Sequence, residues 1–342
     1  MTRKIDLNAS QIASIQSDNQ ETCAAITMPL GITEQTPFVY FAAFDGTNND
    51  KDNVPRGELC TNVAQLWQQY EAGRAGAAAG ARFGGGYYKG PGSPGTLSQS
   101  SWLPESVTEQ VIAAAEDAYH DFCSQAVAAG TDKNVAVALT SFSRGGASAA
   151  IFSQMIFERG LLNPDTREQL MPAKTVPVVG GVIFDPVMTG VNKTLAYPPN
   201  VRNLVDLRAL NEYRYFFKGA EYRHHPTSII NTYSVYGNHC DVGGSYDNGL
   251  AGLTLETATR LLQQLGLVIA NVPPQRTFRP SDIAVHTEEY DNYGNKVWDV
   301  TNEDGFSFAD VRLMDGVGSP ASPDLSGRDR FIMYNGDVMY LP

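Results

Sequence analysis

The sequence predicts an α/β fold: a mostly parallel central sheet with helices on both faces, followed by an irregular, β-rich C-terminal tail. Three observations carry this reading. Short, unbroken apolar runs recur, such as Phe38-Val39-Tyr40-Phe41-Ala42-Ala43-Phe44 and Val135-Ala136-Val137-Ala138-Leu139-Thr140, and runs without polar alternation belong to strands buried on both faces. Helix-like stretches stand between these runs, and such alternation builds a parallel sheet. Near residue 273 the composition changes, with Pro, Asp, Tyr and Asn rising.

Residues 1–36 are polar, rich in Asn, Gln, Ser and Thr, and read as an extension packed on or trailing from the fold. The first strand, Phe38–Phe44, ends in Asp45-Gly46-Thr47-Asn48-Asn49, a turn signal. Residues 72–96 read as a Gly- and Ala-rich loop with a short strand around Tyr87. The stretch Ser106-Val107-Thr108-Glu109 reads as a capping box. Val107, Val111, Ala115, Ala118, Phe122 and Val127 follow at helical spacing, and Gly130 closes that helix. The second strand, from Val135, runs into Ser141-Phe142-Ser143-Arg144-Gly145-Gly146 and a small-residue helix that ends near Gly160. A third strand spans Val176 to Phe184 and ends at Asp185-Pro186. A fourth spans Ile229 to Tyr236 and ends at Gly237-Asn238-His239. Asp291-Asn292-Tyr293-Gly294-Asn295 has the composition of a hairpin tip. The expected organisation is an extension over 1–36, one catalytic α/β domain over 37–270, and a β-rich segment over 271–342 packed on that domain.

The 342 residues carry 37 acidic and 25 basic side chains, a net charge of −12, with 42% hydrophobic residues. That composition is globular. The acidity argues against nucleic acid as a partner, because phosphate contacts need clustered Lys and Arg. It equally argues against a polybasic membrane anchor. No window approaches the roughly 18 apolar residues of a membrane span. The polar N-terminus lacks the apolar stretch of a secretory signal, which predicts synthesis in a cytoplasm. Cys23, Cys60, Cys123 and Cys240 are scattered without zinc spacing, so free thiols and no metal are expected. No cofactor motif is present either. The Gly-rich run at 84–92 lacks the Gly-Lys-Ser/Thr ending of a phosphate-binding loop.

The chemistry concentrates at Ser143. It stands between a buried strand and a helix, with small residues two before it (Ser141) and two after it (Gly145). This is the pattern of a nucleophile elbow, whose tight turn lifts the hydroxyl clear of the sheet at a helix N-terminus. Gly usually occupies the position taken here by Ser141. A serine needs a base, and in the α/β-hydrolase fold the chain order is serine, acid, histidine. Asp185 and His239 follow in that order, each at a strand end, the edge where open parallel sheets bind ligands. The backbone N–H of Arg144 and of Gly46 or Thr47 would form the oxyanion hole, with Asp45 bracing that loop. His120 falls inside a helix, His224 and His225 in a polar loop, and His286 in the tail.

Several segments together resemble one family. They are Phe44-Asp45-Gly46-Thr47-Asn48-Asn49-Asp50, Tyr87-Tyr88-Lys89-Gly90-Pro91-Gly92, Ser141-Phe142-Ser143-Arg144-Gly145-Gly146, Phe184-Asp185-Pro186-Val187, Leu207-Arg208-Ala209-Leu210-Asn211-Glu212-Tyr213-Arg214 and, most specifically, Gly237-Asn238-His239-Cys240-Asp241-Val242-Gly243-Gly244-Ser245-Tyr246. Their order and wording are similar to the α/β-hydrolase domain found in the first family of type VI secretion lipase effectors. The resemblance covers roughly residues 38–260. It implies a Ser143–Asp185–His239 triad, ester hydrolysis with phospholipid as the common substrate, delivery by a secretion-spike protein into a target-cell periplasm, and a cognate immunity protein. The chain lacks the long C-terminal membrane-docking region of the larger effectors, so a compact esterase acting on a small soluble ester is the alternative. Asp241, two residues past His239, is expected to fix the glycine loop, and Glu212 to pair with Arg214. These expectations place the Ser143 hydroxyl within about 3 Å of His239. A lipase further requires an apolar cleft, with the stretches 84–104 and 191–199 as its cover.

Overall fold

A computed structural model describes residues 2–77, 82–96, 103–131, 133–212, 214–288, 301–302, 305–306, 314–317, 322–323 and 325–341. Six strands form one parallel sheet: β1 (Phe38–Phe44), β2 (Phe83–Tyr88), β3 (Val135–Phe142), β4 (Val178–Phe184), β5 (Asn203–Ala209) and β6 (Ile229–Val235), in the order β6-β5-β4-β3-β1-β2. The helices are α1 (Ala9–Ala25), α2 (Asn62–Ala75), α3 (Pro104–Ala128), α4 (Gly145–Arg159), the single turn and a half α5 (His239–Gly243), and α6 (Gly249–Leu265).

Every residue of β1, β3 and β4 is buried. Their side chains therefore split between two cores. One lies under α3 and α4, where Tyr40, Phe44 and Val137 meet Val111, Phe122 and Phe152. The other lies under α2 and α6, where Phe41, Ala138 and Val182 meet Leu66, Trp67, Leu261 and Leu265. Burial on both faces is why these three runs carry no polar alternation.

Several elements differ from the sequence reading. The helix at 104 begins with Pro104 in its first turn and Leu103 as its cap, without a side-chain cap bond. Ser106 thus lies inside the helix, its Oγ accepting from Gln110 Nε2 at 3.2 Å, because proline needs no N–H partner at a helix start and displaces the capping box. The Gly-rich run at 83–88 is a full strand at the sheet edge. Strand β5 and helices α1, α2 and α6 are additional to the elements read from the sequence. Within the N-terminal 36 residues, α1 buries Ile15, Asn19 and Cys23. Its C-terminal end is tied down by Arg260, which donates to Ile26 O and Cys23 O at 2.9 and 2.8 Å. The strand Thr2–Lys4 pairs antiparallel with His286–Glu288.

In the tail, Asp329–Ile332 pairs with Ser322–Pro323 and Val338–Tyr340, and Phe331, Met333 and Leu341 pack on Phe157 and Ala196. The expected hairpin tip at Asp291–Asn295 lies outside the described residues. The four cysteines are free thiols. Among the described residues no helix is long and apolar enough to cross a membrane.

One side chain ties the layers together beneath the sheet's C-terminal edge. Asn62, capped into α2 by Thr61, donates through Nδ2 to Val242 O, Ala251 O and Thr254 Oγ1 at 3.1–3.2 Å and accepts from Arg276 Nη2 at 3.1 Å. Replacing it strands buried partners, which costs about 1–3 kcal/mol. Asn62→Ala is accordingly expected to lower stability by that amount in chemical denaturation, whereas the exposed Asn335→Ala should change it by less than about 0.5 kcal/mol.

Candidate active site

The strands end on one edge, and the loops leaving β1, β3, β4 and β6 meet there. Between β3 and α4 the chain turns at Ser143, whose φ of 55° is left-handed. A non-glycine residue adopts this region only under constraint. The constraints are visible: Ser143 N–H donates to Phe184 O at 3.1 Å, and its carbonyl accepts from Gly146 N–H at 3.0 Å. The small residue two places on is obligatory, since a Cβ on Gly145 would lie 2.4 Å from Phe44 O.

Asp185, at the end of β4, has no exposed surface. Its Oδ1 accepts from Ala209 N–H at 2.9 Å, and its Oδ2 lies 2.6 Å from His239 Nδ1. A carboxylate can only accept there, so Nδ1 carries the proton and Nε2 is the basic nitrogen. His239 sits on the first turn of α5, not at a strand end, because Asn238 caps that turn by accepting from Asp241 N–H. Its ring lies 4.4 Å from that of Phe142 and 5.0 Å, edge-to-face, from that of Phe217. Burial in this aromatic setting pushes the imidazole pKa down, while Asp185 opposes the shift. The helix approaches Phe142 closely enough that a Cβ on Gly243 would lie 2.1 Å from its ring.

Ser143 and His239 line one cavity of about 300 Å³, but no hydrogen bond joins them. The hydroxyl–imidazole contact expected at about 3 Å is therefore not made in this resting geometry. Thr47, Arg144, Arg214, Phe217 and Tyr246 share the lining, with Pro55 and Glu58. Among the described residues, neither 84–104 nor 191–199 contributes to it. Residues 84–88 are strand, and Val191, Leu195 and Tyr197 are buried in the core. The rim comes instead from 48–58, 214–217 and 240–246. Among the described residues the lining is mixed, with Glu58 and two guanidinium groups beside the aromatic rings.

The loop after β1 departs from the sequence reading at Gly46. Its N–H donates to Asp45 Oδ1 at 2.8 Å, so it is not available to an oxyanion. The N–H of Thr47 has no partner among the described residues, and Thr47 lines the cavity. Asp45 is buried and receives Thr61 Oγ1 at 2.8 Å and Tyr87 O–H at 2.5 Å. Burial drives its pKa up to about 6 against those hydrogen bonds.

The Arg144 side chain adds a link that no motif announces. Its Nε donates to Thr189 O at 2.6 Å and its Nη1 to Thr47 Oγ1 at 3.0 Å, which clamps the loop after β4 to the loop after β1. Burial lowers its pKa to about 10, so it stays charged at neutral pH.

Two further carboxylates hold α5. Glu212 takes Arg214 through both oxygens at 2.7–2.8 Å and accepts His239 N–H at 3.4 Å. Asp241 accepts Asn238 N–H at 3.0 Å, His286 N–H at 2.8 Å and Asn248 Nδ2 at 2.5 Å, and lies 2.6 Å from His286 Nδ1. The tail strand bearing His286 thus braces the helix that carries His239. Cys240 follows His239 on this helix and also lines the cavity. His120 lies in α3, and His225 Nδ1 is 2.7 Å from Thr227 Oγ1. Among the described residues no group of three or more His, Cys, Asp and Glu is arranged to hold a metal.

No family model matches the chain, and no curated protein matches it. Among solved structures, it is similar to an uncharacterized protein from Pseudomonas aeruginosa, at 15% identity and TM-score 0.42, over 80% of this chain and 52% of that one. It is also similar to the Tle1 effector bound to the VgrG spike from the type 6 secretion system, at 16% identity and TM-score 0.40, over 65% of this chain and 53% of that one. A third is an arylesterase, at 10% identity and TM-score 0.28, over 77% of this chain and 92% of that one. The chain spans about half the length of the first two.

Ser141, at the position usually held by glycine, is fully buried and its Oγ has no hydrogen-bond partner among the described residues. An orphaned buried hydroxyl costs about 1–3 kcal/mol. Ser141→Ala should therefore leave stability unchanged or raise it by about 1 kcal/mol, measured by chemical denaturation. A loss of more than about 1 kcal/mol would mean that the hydroxyl is bonded after all.

Proposed function

We propose that the protein is a serine ester hydrolase. The observation that carries this reading is the buried 2.6 Å pair between Asp185 and His239 Nδ1, with His239 and Ser143 on one cavity. Ser143 Oγ attacks the acyl carbonyl while His239 Nε2 takes its proton, and the alkoxide of the ester leaves with that proton from the imidazolium. Water then attacks the acyl-enzyme by the same route in reverse. Asp185 keeps the imidazole in the correct tautomer and stabilises its charged form. The N–H groups of Thr47 and Arg144 face the oxyanion. The Ser143–His239 hydrogen bond closes when substrate binds, as catalytic contacts that are loose in resting enzymes do.

The family resemblance supplies the finer reading: a phospholipase acting as a type VI secretion antibacterial effector, carried by a spike protein to the target-cell periplasm and neutralised by an immunity protein. The cavity supports a different substrate. About 300 Å³ is the lower end of ligand pockets, and its charged, mixed lining suits a small ester better than a long acyl chain.

Hydrolysis of soluble esters of rising chain length, beside fatty-acid release from phospholipid vesicles, separates the two. Short esters are expected to be turned over best. Fatty-acid release that outpaces them would restore the phospholipase. Ser143→Ala should lower kcat/KM by about four orders of magnitude or more, and Ser143→Ala with His239→Ala hardly further, because triad members act as a unit. Strict additivity, or full activity without Ser143, overturns the assignment.

The pH profile tests His239 separately. The neutral imidazole is the active form, and burial holds its pKa below the ordinary 6.5. Activity in kcat/KM should thus persist as pH falls to 6.5 and be lost only below it. A half-point above 6.5 would place the titrating base elsewhere.

A further inference from the structure

The two edges of the sheet are treated differently. At the outer edge, Gln125 of α3 closes the backbone of β2 with one amide: its Oε1 accepts Gly85 N–H at 2.9 Å and its Nε2 donates to Gly85 O at 3.1 Å. Asn19 of α1 does the same just past the end of β6, accepting Tyr236 N–H at 2.7 Å and donating to Tyr236 O at 2.9 Å. Helix α1 packs beside the C-terminal end of β6, but among the described residues the strand's own outward backbone groups have no such partner. Ile229 N–H donates to Arg202 O, and Val235 O accepts from Leu210 N–H, so its odd-numbered residues turn their backbone groups inward to β5. The even-numbered residues Ile230, Thr232 and Ser234 turn theirs outward, and among the described residues those groups have no partner. Ile229, Asn231, Thr232 and Ser234 are exposed, Ile229 by 52%. The strand contains no lysine, no proline and no bulge, the usual guards of a free edge.

We propose that this edge pairs with the same edge of a second copy of the chain, antiparallel, across a two-fold axis through Thr232. The register follows from which residues face outward. With Thr232 opposite itself, Ile230 stands opposite Ser234 of the partner subunit, and each outward N–H meets an outward C=O. Self-pairing sets side chains against their own copies, where any charge would meet its like. In a chain of net charge −12, this strand, Ile-Ile-Asn-Thr-Tyr-Ser-Val, carries none. A strand meant for an oppositely charged partner has no need of that neutrality. The two-fold arrangement also closes: it satisfies both edges and leaves none to recruit a third copy. Seven residues a side make a narrow seam, so the dimer forms in the micromolar range and is not obligate.

Light scattering coupled to size exclusion on the full chain, from low to high micromolar concentration, should show the mass rising toward twice 37.1 kDa. Thr232→Pro removes an outward N–H that the fold does not use, together with the 3.3 Å bond from Thr232 Oγ1 to the buried Asp206, so it should weaken dimerisation by about tenfold or more with only a modest drop in the thermal transition. Thr232→Lys, which keeps the backbone and sets like charges face to face, should weaken it similarly and decides the matter where the proline variant loses its fold. Oxidised Thr232→Cys should give a covalent dimer that the wild-type chain, with its four cysteines, does not, because paired Cα atoms in a hydrogen-bonded site lie about 5.5 Å apart. A chain that stays monomeric at every concentration overturns the proposal and leaves the edge to a strand of another protein. A dimer indifferent to both Thr232 substitutions overturns it equally, by placing the contact elsewhere.

Discussion

A carboxylate with no exposed surface must be paired or lose its charge, and the site is built around that requirement. Asp185 meets it with one backbone N–H at the end of β5 and one imidazole on α5. The same solution recurs around it. Asp45, Glu212 and Asp241 are each almost fully buried at this edge of the sheet, and each collects N–H or O–H donors from a different loop. Asp45 fixes the loop after β1 through Thr61 and Tyr87. Glu212 and Asp241 fix the two ends of the first turn of α5. Because each acceptor is satisfied by donors from distant segments, moving one loop would orphan a buried charge. The cost of that, several kcal/mol by general experience, is what keeps the hydroxyl, the imidazole and the oxyanion-side N–H groups in fixed relation.

The parallel sheet makes this concentration of charge possible. With helices on both faces, the strand interiors leave little place for polar side chains, so most of the site's polar groups stand at the strand ends. Ser143 is held in a left-handed turn by the close packing of Gly145 against Phe44, so the elbow is as much a packing constraint on β1 as a feature of its own segment.

That division explains how far the sequence could be read. Strands β1, β3 and β4 are buried on both faces and show as unbroken apolar runs. Strand β5 interrupts its run with Asp206 and Arg208, which pair with each other at 2.7 Å, and so does not look like a buried strand. Helix α2 hides for a related reason: Asn62, Gln65 and Gln69 are polar yet buried, and Asn62 and Gln69 donate through their amides to other layers, bonds that no periodicity records. The strand-end positions of Ser143 and Asp185 were legible because turns have local signatures. The setting of His239 on a helix followed from an Asn238 cap that the apolar run before it obscured. The loss of Gly46 as a donor was not legible at all, since it depends on where one oxygen of Asp45 points. Nor was the cavity rim, which is assembled from loops far apart in sequence.

Arg144 shows what such side-chain geometry contributes in the proposed reaction. Sequence assigns it only a backbone N–H, as the residue after the nucleophile. In the structure its guanidinium is buried at the cavity wall, joined to Thr47 on one side and Thr189 on the other. A pKa brought down to about 10 still leaves it a full cation at neutral pH. As Ser143 adds to the carbonyl in the proposed reaction, negative charge would develop beside a buried, fixed positive charge, where such an interaction is worth more than it is in solvent. The same hydrogen bond to Thr47 sets the spacing between the two N–H groups assigned to the oxyanion. In the proposed reaction one residue would therefore both set the geometry of the oxyanion site and supply part of its field. A lysine in its place could supply the charge but not reach Thr189 and Thr47 at once, because only the planar guanidinium offers diverging donors on a rigid fork.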